Sequence, residues 1–452
     1  MVLARARQQL TLSPSWGGAG LTALDARADL FHVAAYSQVL PLLLQRYGEE
    51  EEFAALCGEL RAADASPLPW AVQLRAAHQR LVEQLADAQV TPAERAWLDG
   101  ALPAAPLDGA GGLAAAARPP PRSALDGLGL APTVPSLAAF GVAATSDGPC
   151  EGSQFLGDAT RWLDAVDLLS LVRVSPPLDR ARLGGCAGQD VGAFPLVPSA
   201  VALSDGDGRD RQDTFRAVAR RLLGIPLPSA LHLRRCASCG QSTAGWSASL
   251  ISAHMASCGS ALLGDRGHGG GTVYQTVHDD VAVQLERAGQ EAGFGSELET
   301  EGLLPGSDDR PADILLMDAA RLYAIDVRVA HVQMHGTVDS PPGIEIAKEE
   351  EAKRQRYTVR CRAEGITFIP FVLDEFGHLG DCATLLLDAL ADRYAERARG
   401  DYREGRDAGQ RRAAFLMRWR TRITYAAHSA VIRCIQERAR RSLVQSMRIR
   451  GP

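Results

Sequence analysis

"RPADILLMDAARLYAIDVRVA", Arg310 to Ala330, is the stretch whose reading decides the fold. It holds two short runs of β type, "ADILLM" and "LYAIDVRVA". A third such run, "SELETEGL", lies upstream. Ahead of all three stands "TVYQTVHDDVAVQLERAGQEAG", an amphipathic helix pattern with Val273, Val277, Val281 and Leu285 on one side and Gly293 just past its end. Downstream come a charged helix containing "IEIAKEEEAKRQRY", a buried-strand run "ITFIPFVLD" and a closing helix "CATLLLDALADRYAERA". The expected order is helix, three strands, helix, strand, helix. Strands mixed with packed helices imply an α/β layer structure around a central sheet.

The chain has 452 residues, enough for about two to four domains. Residues 1–100 read as helical; "TPAERAWLDGAL" carries a helix start, with Thr91 as N-cap, Pro92 in the first turn and Glu94 three after the cap. Residues 101–150 are rich in Ala, Pro and Gly and read as a linker, and helical patterns return over 151–230. A net charge of −6 excludes a molecule that is basic as a whole. Arginines are nonetheless dense from Arg393 to Arg450, so residues 386–452 are expected to form an Arg-rich helical tail. Such a stripe serves a polyanion, or it is a solvated helical face. Apolar runs such as "VLPLLL" are too short to span a bilayer, and no secretory signal is expected. The expected compartment is intracellular and reducing, where clustered cysteines point to metal.

Nine cysteines are scattered along the chain, and two of them fall in "CASCG". Cys236 and Cys239 make a CxxC, and His254 and Cys258 make an HxxxC. Two thiolates on one tight turn, a third thiolate and an imidazole suffice for a tetrahedral structural Zn²⁺ site, expected within residues 231–262. The alternative is a free CxxC beside an unrelated histidine.

A second constellation is acidic. Glu299, Asp313 and Asp326 stand on or beside the three successive strands, and Asp326 lies between Ile325 and Val327. A carboxylate in an apolar run is costly unless it is paired or binds a cation. Carboxylates converging at strand ends suit Mg²⁺, and a cation held there activates water and stabilises charge on a phosphate. Only two of the 48 basic residues are lysine, Lys348 and Lys353. Lys353 lies on the helix after the third strand, with Arg356 and Tyr357 at i+3 and i+4, while Lys348, five residues earlier, lies on a different helix face. A compact ammonium there would neutralise developing charge in a way a guanidinium cannot. Strand-capping acids and exposed lysines are the alternative.

Taken in order, these motifs resemble the C-terminal region of site-specific non-LTR retrotransposon polyproteins. That region carries a Cys-Cys-His-Cys zinc knuckle and then a restriction-endonuclease-like domain, a variant of the PD-(D/E)XK nuclease fold. Cys236, Cys239, His254 and Cys258 match the knuckle; "VHDDVAVQL" matches a helix beginning Arg-His, with Val277 in the Arg place and His278 retained. Glu299, "RPAD" ending in Asp313, "DVRV" beginning at Asp326, and Lys353 with Arg356 and Tyr357 match the rest. "FIPFVLDEFGHLG" resembles the family's following strand and turn, and similarity extends over about residues 15–385. The His-to-Cys spacing is one residue shorter than is common in the family, and no Tyr/Phe-x-Asp-Asp polymerase motif is present.

The resemblance implies an αβββαβ core over 272–385 and Mg²⁺-dependent DNA endonuclease activity. Glu299, Asp313 and Asp326 would hold metal, and Lys353 would assist the attacking water in place of Arg328, which stands at the ordinary lysine position. His278, Arg310, Arg356 and Tyr357 would contact DNA, and element RNA is a further implied partner. An active enzyme of this kind works in the nucleus. Two other readings stay open: a catalytically inactive nucleic-acid-binding remnant, and a structural α/β protein without ligand.

Overall fold

The computed structural model describes residues 27–31, 33, 69–86, 90–101, 151–186, 208–225, 227–228, 235–236, 239–244, 246, 250–251, 253–254, 273–304, 310–319, 321–330, 332, 342–397 and 408–450. Most of the expected linker and Cys258 lie outside them. The described elements are α1 (Pro69–Ala86), α2 (Pro92–Ala101), α3 (Glu151–Arg173), α4 (Pro177–Cys186), α5 (Gly208–Leu222), α6 (Val273–Ala292), β1 (Gly295–Leu298), β2 (Ile314–Asp318), β3 (Arg321–Ala330), α7 (Ile344–Ala363), β4 (Ile366–Asp374), α8 (Asp381–Arg397) and α9 (Ala408–Arg450). Among the described residues the protein is therefore mixed α/β, mostly helical, with one small sheet. From α6 to α8 the order is the one read from the sequence.

The chain divides into two compact units; within the described residues the divisions fall at Ala96/Trp97, where the smaller unit gives way to the larger, and at Ser170/Leu171, where it does so again. In the smaller, Leu30, Leu74, Leu81 and Trp162 are buried, and Arg27 reaches Asp164 at 3.0 Å and Asp167 at 2.7 Å. The start of α2 is a capping box. Glu94 N donates to Thr91 Oγ1, and the Glu94 carboxylate accepts from Thr91 N at 2.9 Å.

The larger unit is built on the sheet, with strand order β1-β2-β3-β4. The first three strands are antiparallel neighbours, and β3 pairs with β4 in parallel. A parallel pair needs a crossover, and α7 supplies it. One face of the sheet carries Ile314, Leu316, Ile325, Val327, Ile369 and Phe371, packed with residues of α6, α8 and α9. The other face carries Ala324 and Phe368, packed with Tyr357 and Cys361 of α7. α6 ends where Gly293, at φ +90°, turns the chain in the left-handed conformation that a side chain resists. Glu350, buried on α7, accepts the Cys382 N–H at 3.0 Å and so ties α7 to the start of α8.

α9 departs from expectation. It is not a separate tail, and the boundary expected at 385 falls inside α8. Phe415, Trp419, Ile423, Ala427, Val431, Ile435 and Ala439 recur every four residues and are all buried in the main core. Its arginines reach acids on neighbouring elements: Arg412 pairs with Asp388 and Asp392, Arg418 with Glu291, and Arg433 with Asp280. A charged surface around an apolar stripe explains why arginine density alone read as a solvated or polyanion-binding face. Among the described residues no helix is long and apolar enough to cross a membrane.

A polar cluster joins α5, α9 and the turn after β4. Arg221 donates to the Glu375 carbonyl at 2.7 Å, lies over the Phe376 ring at 4.1 Å and stands 3.3 Å from His428 Nδ1. Burial, with Arg221 beside it, pushes the His428 imidazole well below its ordinary 6.5, and a hydrogen bond to the Phe376 backbone opposes this only in part.

Two outcomes follow from the packing of α9. Phe415→Ala should destabilise the larger unit by about 3–5 kcal/mol in urea denaturation, since it empties a fully buried aromatic site. His428 should also contribute a loss of stability as pH drops below 6.5, because its unfolded imidazole gains a proton there while the buried one does not. His428→Asn should make the urea midpoint less sensitive to pH between about 7 and 5.

Candidate active site and metal centre

The register of the sheet lines up the three acids. Continuing the β1–β2 pairing by one residue sets Glu299 opposite Asp313, and continuing the β2–β3 pairing by one sets Asp313 opposite Asp326. The backbone agrees: Glu299 N donates to Asp313 O at 2.8 Å, and Asp313 N donates to Ile325 O at 2.9 Å. Directly opposed residues share a face of the pleat, so Asp313 and Asp326 meet on the α7 side. Their carboxyl groups lie within hydrogen-bonding reach of each other.

Lys353 completes this pair from the crossover helix. Its Nζ lies 2.7 Å from Asp326 Oδ2 and 3.0 Å from Oδ1. Lys348 points elsewhere: it is 64 % exposed and pairs with Glu345 one turn back. Arg328, at the position where the resemblance puts the ordinary lysine, is exposed and pairs with Glu349 at 3.1 Å. The two lysines thus differ in place as the helical spacing implied.

Four charged or polar side chains form one chain of contacts, His278–Asp313–Asp326–Lys353. His278 Nε2 is 2.9 Å from Asp313 Oδ2, and its Nδ1 is 3.0 Å from Asp279 Oδ1. Asp326 is only 5 % exposed. Burial pushes its carboxyl up to about 6, the Lys353 ammonium opposes that rise, and the neighbouring Asp313 adds to it. Burial works in the same direction on Asp313, but the hydrogen bond and charge of His278, with the Val327 N–H, hold it below the usual carboxylate range. Burial disfavours the His278 imidazolium, yet Asp313 and Asp279 together lift it to about 9.

Two expected site residues, Glu299 and Tyr357, are placed differently. Glu299 follows β1 at φ +50°, the one non-glycine among the described residues in that conformation, and its side chain is exposed. The left-handed backbone breaks the strand alternation that would have aimed its carboxylate along the row. Glu299, Asp313 and Asp326 accordingly do not bring ligand oxygens all within 4.8 Å of one another. Tyr357, expected against DNA, is 4 % exposed and packs on Phe368 with ring centroids 5.3 Å apart; the parallel β3–β4 face needs an apolar cover there. Arg310 is exposed and paired with Glu301, and Arg356 lies 5.0 Å over the outer side of the Tyr357 ring. The His278–Asp313 contact was not read from the sequence: 35 positions separate the two, and no local pattern marks them.

Three of the four expected knuckle residues come together. Cys236, Cys239 and His254 have ligand atoms all within 4.8 Å of one another, the one such set of three among the described residues. The CxxC is folded by a tight turn. Cys236 N donates to Gln241 O, Gly240 N donates to Cys236 O, both at 2.9 Å, and Gly240 takes φ +73°. Cys239 Sγ is 3.3 Å from His254 Nε2, and Trp246 meets the His254 ring edge-on at 5.2 Å. Two sulfurs and an imidazole are a donor set for a borderline or soft divalent metal.

Reduced protein should therefore take up Co²⁺ with the absorption of a thiolate-bound ion. Cys239→Ser should weaken that absorption strongly, and Cys434→Ser should leave it unchanged. A cobalt spectrum without thiolate bands would contradict the assembly.

No protein-family model and no curated protein matches this chain.

Proposed function

We propose that the larger unit is a metal-dependent DNA endonuclease derived from a retrotransposon polyprotein, with its active site at Asp313, Asp326 and Lys353. One observation carries this reading: strand register sets two carboxylates opposite each other on adjacent strands, with an ammonium 2.7 Å from one of them. Two facing acids suit a hard divalent cation such as Mg²⁺, which replaces the charge compensation that Lys353 and His278 now provide. When bound, that ion supplies Lewis-acid activation of water and charge stabilisation on the scissile phosphate.

The chain's own residues do the rest. Asp313 and Asp326 hold their carboxylates side by side because strand register opposes them. Lys353 leans on Asp326 and presents a compact positive charge where a phosphate oxygen becomes more negative. Arg328 and Arg356, exposed on β3 and α7, attract the DNA backbone. The Cys236–Cys239–His254 set, with Cys258 as the fourth ligand that the resemblance implies, holds structural Zn²⁺.

A second reading, a non-catalytic nucleic-acid-binding remnant, is favoured by one observation: Glu299 stands outside the acid pair. Plasmid nicking separates the two. With Mg²⁺, wild-type protein should nick supercoiled DNA, and Asp326→Ala should lower the rate about 100-fold or more. Lys353→Arg should lower cleavage strongly while DNA binding stays nearly intact, and Lys348→Arg should change neither. Binding without any Mg²⁺-dependent nicking by wild type is the result the remnant reading expects.

A further inference from the structure

We propose that His278 is a positioning residue that locks the Asp313 carboxylate in the orientation the cation site needs; this rests on the reading of Asp313 and Asp326 given above. Asp313 precedes β2, so its backbone is fixed by the Ile325 and Glu299 contacts while its side chain is not set by a strand ladder on both sides. Two donors converge on one oxygen instead. Asp313 Oδ2 accepts the Val327 N–H at 2.6 Å and lies 2.9 Å from His278 Nε2. Together they fix the plane of the carboxylate and leave Oδ1 as the oxygen outside these two contacts. The same grip offsets repulsion between Asp313 and Asp326, which face each other at one end of the sheet.

His278 is itself oriented. Its Nδ1 is 3.0 Å from Asp279 Oδ1, so both ring nitrogens are engaged by carboxylates. An imidazole committed on both sides is poorly placed to bind a phosphate, which separates this role from the direct DNA contact the sequence suggested. The arrangement follows the general rule that groups hydrogen-bonded to metal-binding carboxylates set ligand geometry.

The test measures Mn²⁺ binding to the full chain by water-proton relaxation, with Asp326→Asn defining the part that belongs to this site. His278→Gln places an amide donor about where Nε2 stands, whereas His278→Asn is too short to reach Asp313 yet keeps a polar group near Asp279. We expect His278→Asn to weaken the Asp326-dependent affinity about 10-fold or more and His278→Gln to stay within about threefold of wild type. Equal affinity in His278→Asn and wild type would overturn the positioning role alone, as would equal loss in both variants. Wild-type protein lacking Asp326-dependent Mn²⁺ binding would overturn the cation reading and this inference with it.

Discussion

Asp326 sits on an inner strand of the sheet with its carboxylate on the face that α7 covers. An ionised carboxylate taken out of water costs several kcal/mol unless charges and donors compensate it. Two features of the larger unit follow from that demand. α7 must bring a cation to this spot, and Lys353 does so at 2.7 Å. The loop before β2 must end on Asp313, whose donors keep it from pushing Asp326 away. Burial around the pair is also incomplete, since Lys353 and Asp313 are both only partly buried.

The same logic of compensated burial runs through the other half of the core. α9 packs a continuous four-residue repeat of apolar side chains while placing arginines against Glu291, Asp388 and Asp280. Arg221 lies buried among the Glu375 carbonyl, the Phe376 ring and His428. Glu350 caps α8 from α7. These contacts tie the elements around the sheet to one another, and with them the strands that present the acid pair.

Much of this was legible in the sequence. The run of strands and helices from Val273 to Arg397, the Thr91 capping box and the distinction between Lys348 and Lys353 depend on local periodicity, and local periodicity decides them. What was not legible depends on the third dimension. The exposure of Glu299 comes from one left-handed residue at a strand end, which composition does not mark. Tyr357 lies on the inner side of α7 because of how that helix is turned on the sheet, although its neighbour Arg356 faces out. The burial of α9 was masked by its arginines, which pair across helices far apart in sequence. The role of His278 needed the distance to Asp313.

The central claim is that Asp313 and Asp326 form a divalent cation site. The most direct measurement is anomalous diffraction from crystals of the protein soaked in Mn²⁺. The account predicts one peak about 2.1–2.2 Å from an oxygen of each carboxylate, with the Lys353 ammonium displaced from its present contact. No anomalous density between the two acids at saturating Mn²⁺, with Lys353 still against Asp326, would contradict it.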